Sequence, residues 1–150
     1  MQQIGSKWWK FDFHTHTPAS FDYGRGDKNL KDLMTPHEWL MKFVEKGVEC
    51  VAITDHNSGG WIDKLKEEAA ALRAQNYSIY VFPGIEVTSN GNVHILGIFD
   101  PTESSNKISE LIGSINYKGT QGDSDAVTGD SPESVIKKII EKIEQPILSI

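Results

Sequence analysis

The chain has 150 residues, a hydrophobic fraction of 38%, four Trp and a formal net charge of −6. Its length and apolar content suit one folded domain and argue against global disorder, and the acidic balance makes a poor general nucleic-acid scaffold, which would rest on Lys and Arg, without excluding a phosphate-bearing substrate. A single cysteine, Cys50, excludes an internal disulfide and reads as a buried, inert thiol. No apolar run nears the ~20 residues of a membrane-spanning helix, and residues 1–10 hold no signal core, so the expected location is cytoplasmic with no membrane partner.

Phe11-Asp12-Phe13-His14-Thr15-His16 alternates with period two and predicts a strand. A helix follows from Thr35 as N-cap, Pro36 in the first turn and Glu38 closing a capping box. Trp39, Leu40, Phe43 and Val44 lie on its apolar face and Gly47 stops it. Val51 to Thr54 reads as a buried strand, and Ile62, Leu65, Ala69 and Leu72 as one face of a second helix. Ser78 to Phe82 predicts a third strand closed by Pro83-Gly84. Ile85 to Thr88 and Val93 to Phe99 are further strands, joined by hairpin chemistry at Ser89-Asn90-Gly91-Asn92.

Ile108, Leu111, Ile112 and Ile115 mark a third helix, and residues 117–130, rich in Gly, Asp, Ser and Thr, predict a mobile loop or insertion. Ser131-Pro132-Glu133 caps a fourth helix with Ile136, Ile139, Ile140 and Ile143 on its buried face, and Pro146 to Ile150 reads as the opening of another strand. Alternating strands and helices predict an α/β fold with a mostly parallel sheet. A strand at the very end, with no helix to cover it, leads us to expect the N-terminal portion of a larger, truncated α/β barrel.

The chemistry-bearing residues collect at strand ends, where parallel α/β barrels build their sites. His14 and His16 point to one face of a strand and can reach one metal ion, although two ordinary strand-end histidines would read the same way. Asp55-His56 sets a carboxylate beside an imidazole, and Asp55 also suits a turn or helix cap. Glu86 sits in an apolar segment, where an unpaired charge is costly, so it needs a metal or a basic partner. His94 is a lone imidazole in an apolar strand, where a core histidine is the usual explanation.

In this order, His14-Thr15-His16, Thr54-Asp55-His56-Asn57, Pro83-Gly84-Ile85-Glu86 and His94-Ile95-Leu96-Gly97 resemble the PHP (polymerase and histidinol phosphatase) family, clearly over residues 11–99 and weakly to residue 150. The resemblance implies a distorted seven-stranded (βα) barrel, with residues 1–150 as its N-terminal part. It also implies two or three divalent ions (Zn, Mn or Fe) and hydrolysis of phosphoesters. His14 and His16 match the paired ligands of the first metal, Glu86 the bridging carboxylate, and His94 a ligand of the next ion. Asp22 matches the third ligand of the opening motif, where the family more often has Ser-Asp-Gly or a His; His56 would share a metal with it. Glu86 and Asp55 are the candidate catalytic residues, Asp55 as the one that orients the site. The family's later His and its Asp-x-His pair have no counterpart, since the histidines are His14, His16, His37, His56 and His94.

Gly5-Ser6-Lys7-Trp8-Trp9-Lys10 with His14 to Ser20 resembles more closely the N-terminal PHP domain of TrlF-type AAA-like ATPases, which implies a C-terminal ATPase module as partner. No Walker-A pattern occurs in the chain. The expected activity is metal-dependent phosphoester hydrolysis on a small molecule, a nucleotide or a nucleic-acid end. An amidohydrolase-like C–N hydrolase and a metal-stabilised docking domain without turnover are the alternatives.

Overall fold

The computed structural model describes residues 7–144. Its elements are β1 (Phe11–Thr15), α1 (Lys28–Leu33), α2 (Pro36–Glu45), β2 (Cys50–Ile53), α3 (Ile62–Ala74), β3 (Tyr80–Ser89), β4 (Val93–Ile98), α4 (Ser105–Ser114) and α5 (Pro132–Glu144). The strands form one sheet in the order β1-β2-β3-β4. β1, β2 and β3 are parallel, and β4 turns back antiparallel to β3. The architecture is mixed α/β with four strands among the described residues; the strand expected over Ile147 to Ile150 lies outside them.

Local chemistry explains most of the elements. The α2 capping box forms as expected: Glu38 N donates to Thr35 Oγ1 and Thr35 N to Glu38 Oε2, and Gly47 follows at φ +68°. Ile62, Leu65, Ala69 and Leu72 of α3 are all fully buried, with Val51, Ile53, Val81, Ile85 and Val87 of the sheet in the same core. Cys50 is buried and its thiol pKa is pushed up by that burial. α1 was not foreseen. Its six residues are too few for a helical repeat to show, and its cap, Asp27 Oδ1 accepting from Asn29 N and Leu30 N, was the one signal present.

Three expectations need correction. Pro83-Gly84 does not close a strand: β3 runs unbroken from Tyr80 to Ser89. Tyr80–Pro83 pair with β2 and Gly84–Ser89 with β4, so Pro83 sits at the handover. Phe99 N donates to Pro83 O just past the end of β4, so the donor that proline lacks is missing only at the tip of that ladder. Gly84 is required by crowding, because a Cβ there would lie 2.8 Å from Ile53 O and 2.9 Å from Gly97 O.

On α5 the buried positions are Val135 and Ile139, whereas Ile136, Ile140 and Ile143 are exposed. The apolar stripe is wider than the face the sheet covers, and periodicity alone did not say which edge turns inward. Finally, Glu86 does not follow the third strand but lies within it. Residues 117–130, expected as a mobile loop or insertion, contain no helix or strand. Gly122 N donates to His56 O, Phe21 N to Gly122 O and Thr128 N to Thr88 O.

An apolar cleft of about 350 Å³ is lined by Trp9, Phe11, Cys50, Tyr80, Phe82 and Pro101. It lies at the starts of the parallel strands, away from the histidines. Trp9 meets Tyr80 edge to face there, while Trp8 is 96% exposed.

Candidate metal centre

The offset between strand lengths assembles the site. His14 is the penultimate residue of β1 and His16 the first beyond it, and Trp39 of α2 fixes this corner by donating from Nε1 to His16 O at 3.1 Å. β2 ends at Ile53, so His56 rides the turn that follows; β3 is longer, so Glu86 reaches the same level while still in a strand. A bridge joins His56 and Glu86, with Glu86 N donating to Asp55 O and Asn57 N to Glu86 O. β4 is antiparallel, so His94, near its start, arrives at this same end opposite Thr88.

Glu86 is the centre, a carboxylate with 5% of its side chain exposed. Its Oε2 lies 3.0 Å from His14 Nε2, 3.3 Å from His16 Nε2 and 3.6 Å from His56 Nδ1; its Oε1 lies 2.5 Å from His94 Nδ1. Two sets can each hold a cation: His14, His16 and Glu86, and His56, Glu86 and His94. The His14 and His94 side chains are about half exposed, so the cluster opens to solvent on their side. Asp22 is in neither set. Its Oδ2 lies 3.5 Å from the opposite ring nitrogen, Nε2, of His56. His37 lies outside the cluster, exposed and paired with Glu68.

The protons are the difficulty that makes this cluster chemically specific. His16 Nδ1 lies 3.2 Å from Ser20 Oγ. That hydroxyl donates to Asp55 Oδ1 at 2.8 Å and accepts from His56 N, so it is an acceptor for His16, and Nδ1 carries the proton. In neutral His16 the Nε2 lone pair then faces both Glu86 Oε2 and His14 Nε2, the latter at 3.2 Å. Electron-rich atoms this close need a cation between them, either protons or a metal.

Accordingly the His16 pKa is raised above 6.5, first by its hydrogen bond to Glu86. Burial pushes the Glu86 carboxyl up, but hydrogen bonds from His16 and His14 and the charge on His56 outweigh it and bring it down to about 2.

The donor set fits a divalent ion. A tetrahedron with ligand distances of ~2.0–2.1 Å has edges of about 3.3 Å. The separations among His14 Nε2, His16 Nε2 and Glu86 Oε2 are 3.2, 3.0 and 3.3 Å. His56 Nδ1 and Asp22 Oδ1 are buried and make no hydrogen bond, two donors left for a cation to satisfy. Asp55 stands behind this shell. It is fully buried, and both oxygens are occupied by Thr17 N, Thr17 Oγ1 and Ser20 Oγ; burial raises its pKa against those donors. Through these bonds it ties the Thr17–Ser20 turn, which follows His16, to the segment after β2 that carries His56.

Thr17 and Ser20 were missed at the level of sequence. Their signal was faint, two hydroxyl residues following His-x-His, and only the fold shows that both meet Asp55 from 38 and 35 residues away.

The strand ends of an α/β fold thus gather four imidazoles on one buried carboxylate, a donor set that could hold divalent cations. The family model described as poly-gamma-glutamate hydrolase matches residues 28–149, and the chain belongs to that family. That match begins after His14, His16 and Asp22. The chain is also 30% identical over 91 residues to the 5'-3' exoribonuclease Rnm of Salmonella typhimurium, and 29% identical over 91 residues to that of Escherichia coli. Each match covers 59% of the chain and 27% of the relative, so the chain spans about a quarter of the length of these proteins. Among solved structures, an amidohydrolase from Chromobacterium violaceum aligns at 25% identity with a TM-score of 0.47, over 71% of the chain and 33% of its own length.

Proposed function

We propose that the chain carries a PHP-type metal centre and that its reaction is metal-dependent hydrolysis of a phosphoester. The observation that carries this reading is the convergence of His14, His16, His56 and His94 on Glu86. His14, His16 and Glu86 would hold one Zn, Mn or Fe ion and Glu86, His56 and His94 a second, with Asp22 at the far side of the His56 ring. Ions bound there would supply a water acidified to near-neutral pKa and positive charge against the phosphoryl oxygens.

The protein's own contributions follow from the geometry. Glu86 holds its charge at every physiological pH and draws the four imidazoles together. Ser20 fixes the His16 tautomer so that Nε2 points into the cluster. Asp55 locks the Thr17–Ser20 turn against the end of β2, which keeps His16 and His56 stacked 4.6 Å apart. The half-exposed edges of His14 and His94 leave the approach open to a substrate. The curated relatives named as exoribonucleases support a phosphodiester among the candidates. An ATPase partner module belongs to the same proposal, by resemblance of the opening residues. Among the described residues no helix is long and apolar enough to cross a membrane.

A second reading, hydrolysis of a C–N bond, is favoured by the description of the family model. The two are separated by assaying the protein, loaded with Mn or Zn, on aryl phosphates, phosphodiesters, short RNA and poly-γ-glutamate. Release of phosphate or nucleotide that stops on chelation is the expected result. Turnover of poly-γ-glutamate alone would move the protein to the second reading, and cation binding with no turnover on the whole panel would leave a docking domain.

A further inference from the structure

We propose that the segment 117–130 is a strap that sets the geometry of the Asp22–His56 arm of the metal centre, with Gly122 as its positioning residue; this rests on the metal-centre reading above. Gly122 makes two backbone bonds to that arm. Its N–H donates to His56 O at 2.8 Å, and its carbonyl accepts from Phe21 N, next to Asp22, at 2.7 Å. One residue, through its N–H and its carbonyl, thus ties the turn after β1 to the turn after β2. The side-chain atoms whose spacing depends on this tie, Asp22 Oδ2 and His56 Nε2, lie 3.5 Å apart.

No other residue type fits at position 122. Its φ is +91°, which L side chains rarely adopt. A Cβ there would lie 2.1 Å from Ala19 O and 3.1 Å from the Phe21 ring. The obstacle is backbone, so it cannot swing aside, and the strap would have to lift from the turn that holds Asp22. The far end of the strap is anchored independently: Thr128 N donates to Thr88 O, Gly129 N to Asn116 O and Asn90 N to Asp130 O. Lifting at Gly122 therefore opens one arm of the centre while His14, His16 and Glu86 keep their contacts.

The test is titration of the metal-free protein with Co(II), followed by calorimetry and by its visible absorption, for wild type, Gly122→Ala and Leu72→Ala. Leu72 is fully buried in α3, outside the strap, and serves as a destabilised reference. For Gly122→Ala we expect at least a tenfold loss of affinity for one Co(II) equivalent and an altered absorption for that ion. The His14–His16–Glu86 equivalent should be retained, and Leu72→Ala should bind as wild type does. Wild-type binding and spectrum in Gly122→Ala would overturn the strap, as would an equal loss in Leu72→Ala.

If Gly122→Ala does not fold, Phe21→Pro carries the test. Phe21 is second in the Ser20–Tyr23 turn, closed by Tyr23 N donating to Ser20 O, a position that suits proline, and the change removes the donor to Gly122. Unchanged binding in that folded variant would equally overturn the strap. Failure of the wild type to bind Co(II) at all would instead remove the metal-centre reading on which it rests.

Discussion

Glu86 decides the electrostatics of the site. Four imidazoles surround one buried carboxylate whose pKa stands at about 2, against an ordinary 4.5. Such a carboxylate attracts protons to its neighbours, and His16 responds with a raised pKa. Two opposite pH dependences follow. In the metal-free protein the His16–Glu86 bond contributes stability that is fully present below the ordinary histidine value of 6.5 and is lost as pH rises through the raised one. A cation needs neutral His16, so its affinity should fall as pH drops through that same raised value, with proton release on binding. Calorimetry in buffers of different ionisation heat measures the released protons. Binding without proton release below pH 6.5 would show that His16 is no ligand. Ser20→Ala, which frees the His16 tautomer, should weaken cation binding by about 10–100-fold; unchanged affinity would remove Ser20 from the site.

At the scale of elements, sequence patterns were informative where a repeat or a cap had room to show. The capping box at Thr35 and Glu38, the buried face of α3 and the Ser89–Asn92 hairpin all stand where periodicity and turn chemistry put them. The misreading at Pro83-Gly84 has a physical cause. Both residues signal turns in isolation, yet here proline meets the end of a ladder and glycine meets two carbonyls, facts that depend on neighbouring strands. α5 fails for a related reason, since Ile136, Ile139, Ile140 and Ile143 form one stripe and only packing selects Ile139. Ile139→Ala should then cost about 2–5 kcal/mol, and Ile140→Ala no more than about 0.5 kcal/mol. Urea unfolding of the two variants reads the difference; equal losses would mean that the stripe is covered along its whole width.

For the whole molecule, the residues that cluster around Glu86 were legible as residue types in order, while the reason they converge was not. His14, His16, His56, Glu86 and His94 converge because β3 outruns β2 and β4 reverses direction, which places residues up to 80 positions apart at one sheet end. Asp22, the candidate with the least typical surroundings in sequence, is also the one set apart, behind His56. The strap at Gly122 was invisible because Gly-Asp-Ser-Thr composition describes a loop without saying what the loop is tied to.

The central claim is that these residues form a divalent-cation centre, and the most direct measurement is calorimetric titration of metal-free protein with Mn or Zn at neutral pH, set beside a His14→Ala, His16→Ala double variant and Glu86→Gln. Wild type should bind at least one equivalent and gain thermal stability as the ion is added. The double variant should lose the equivalent held by His14, His16 and Glu86, and Glu86→Gln should lose binding in both sets. Wild-type affinity and stoichiometry in Glu86→Gln would contradict the claim.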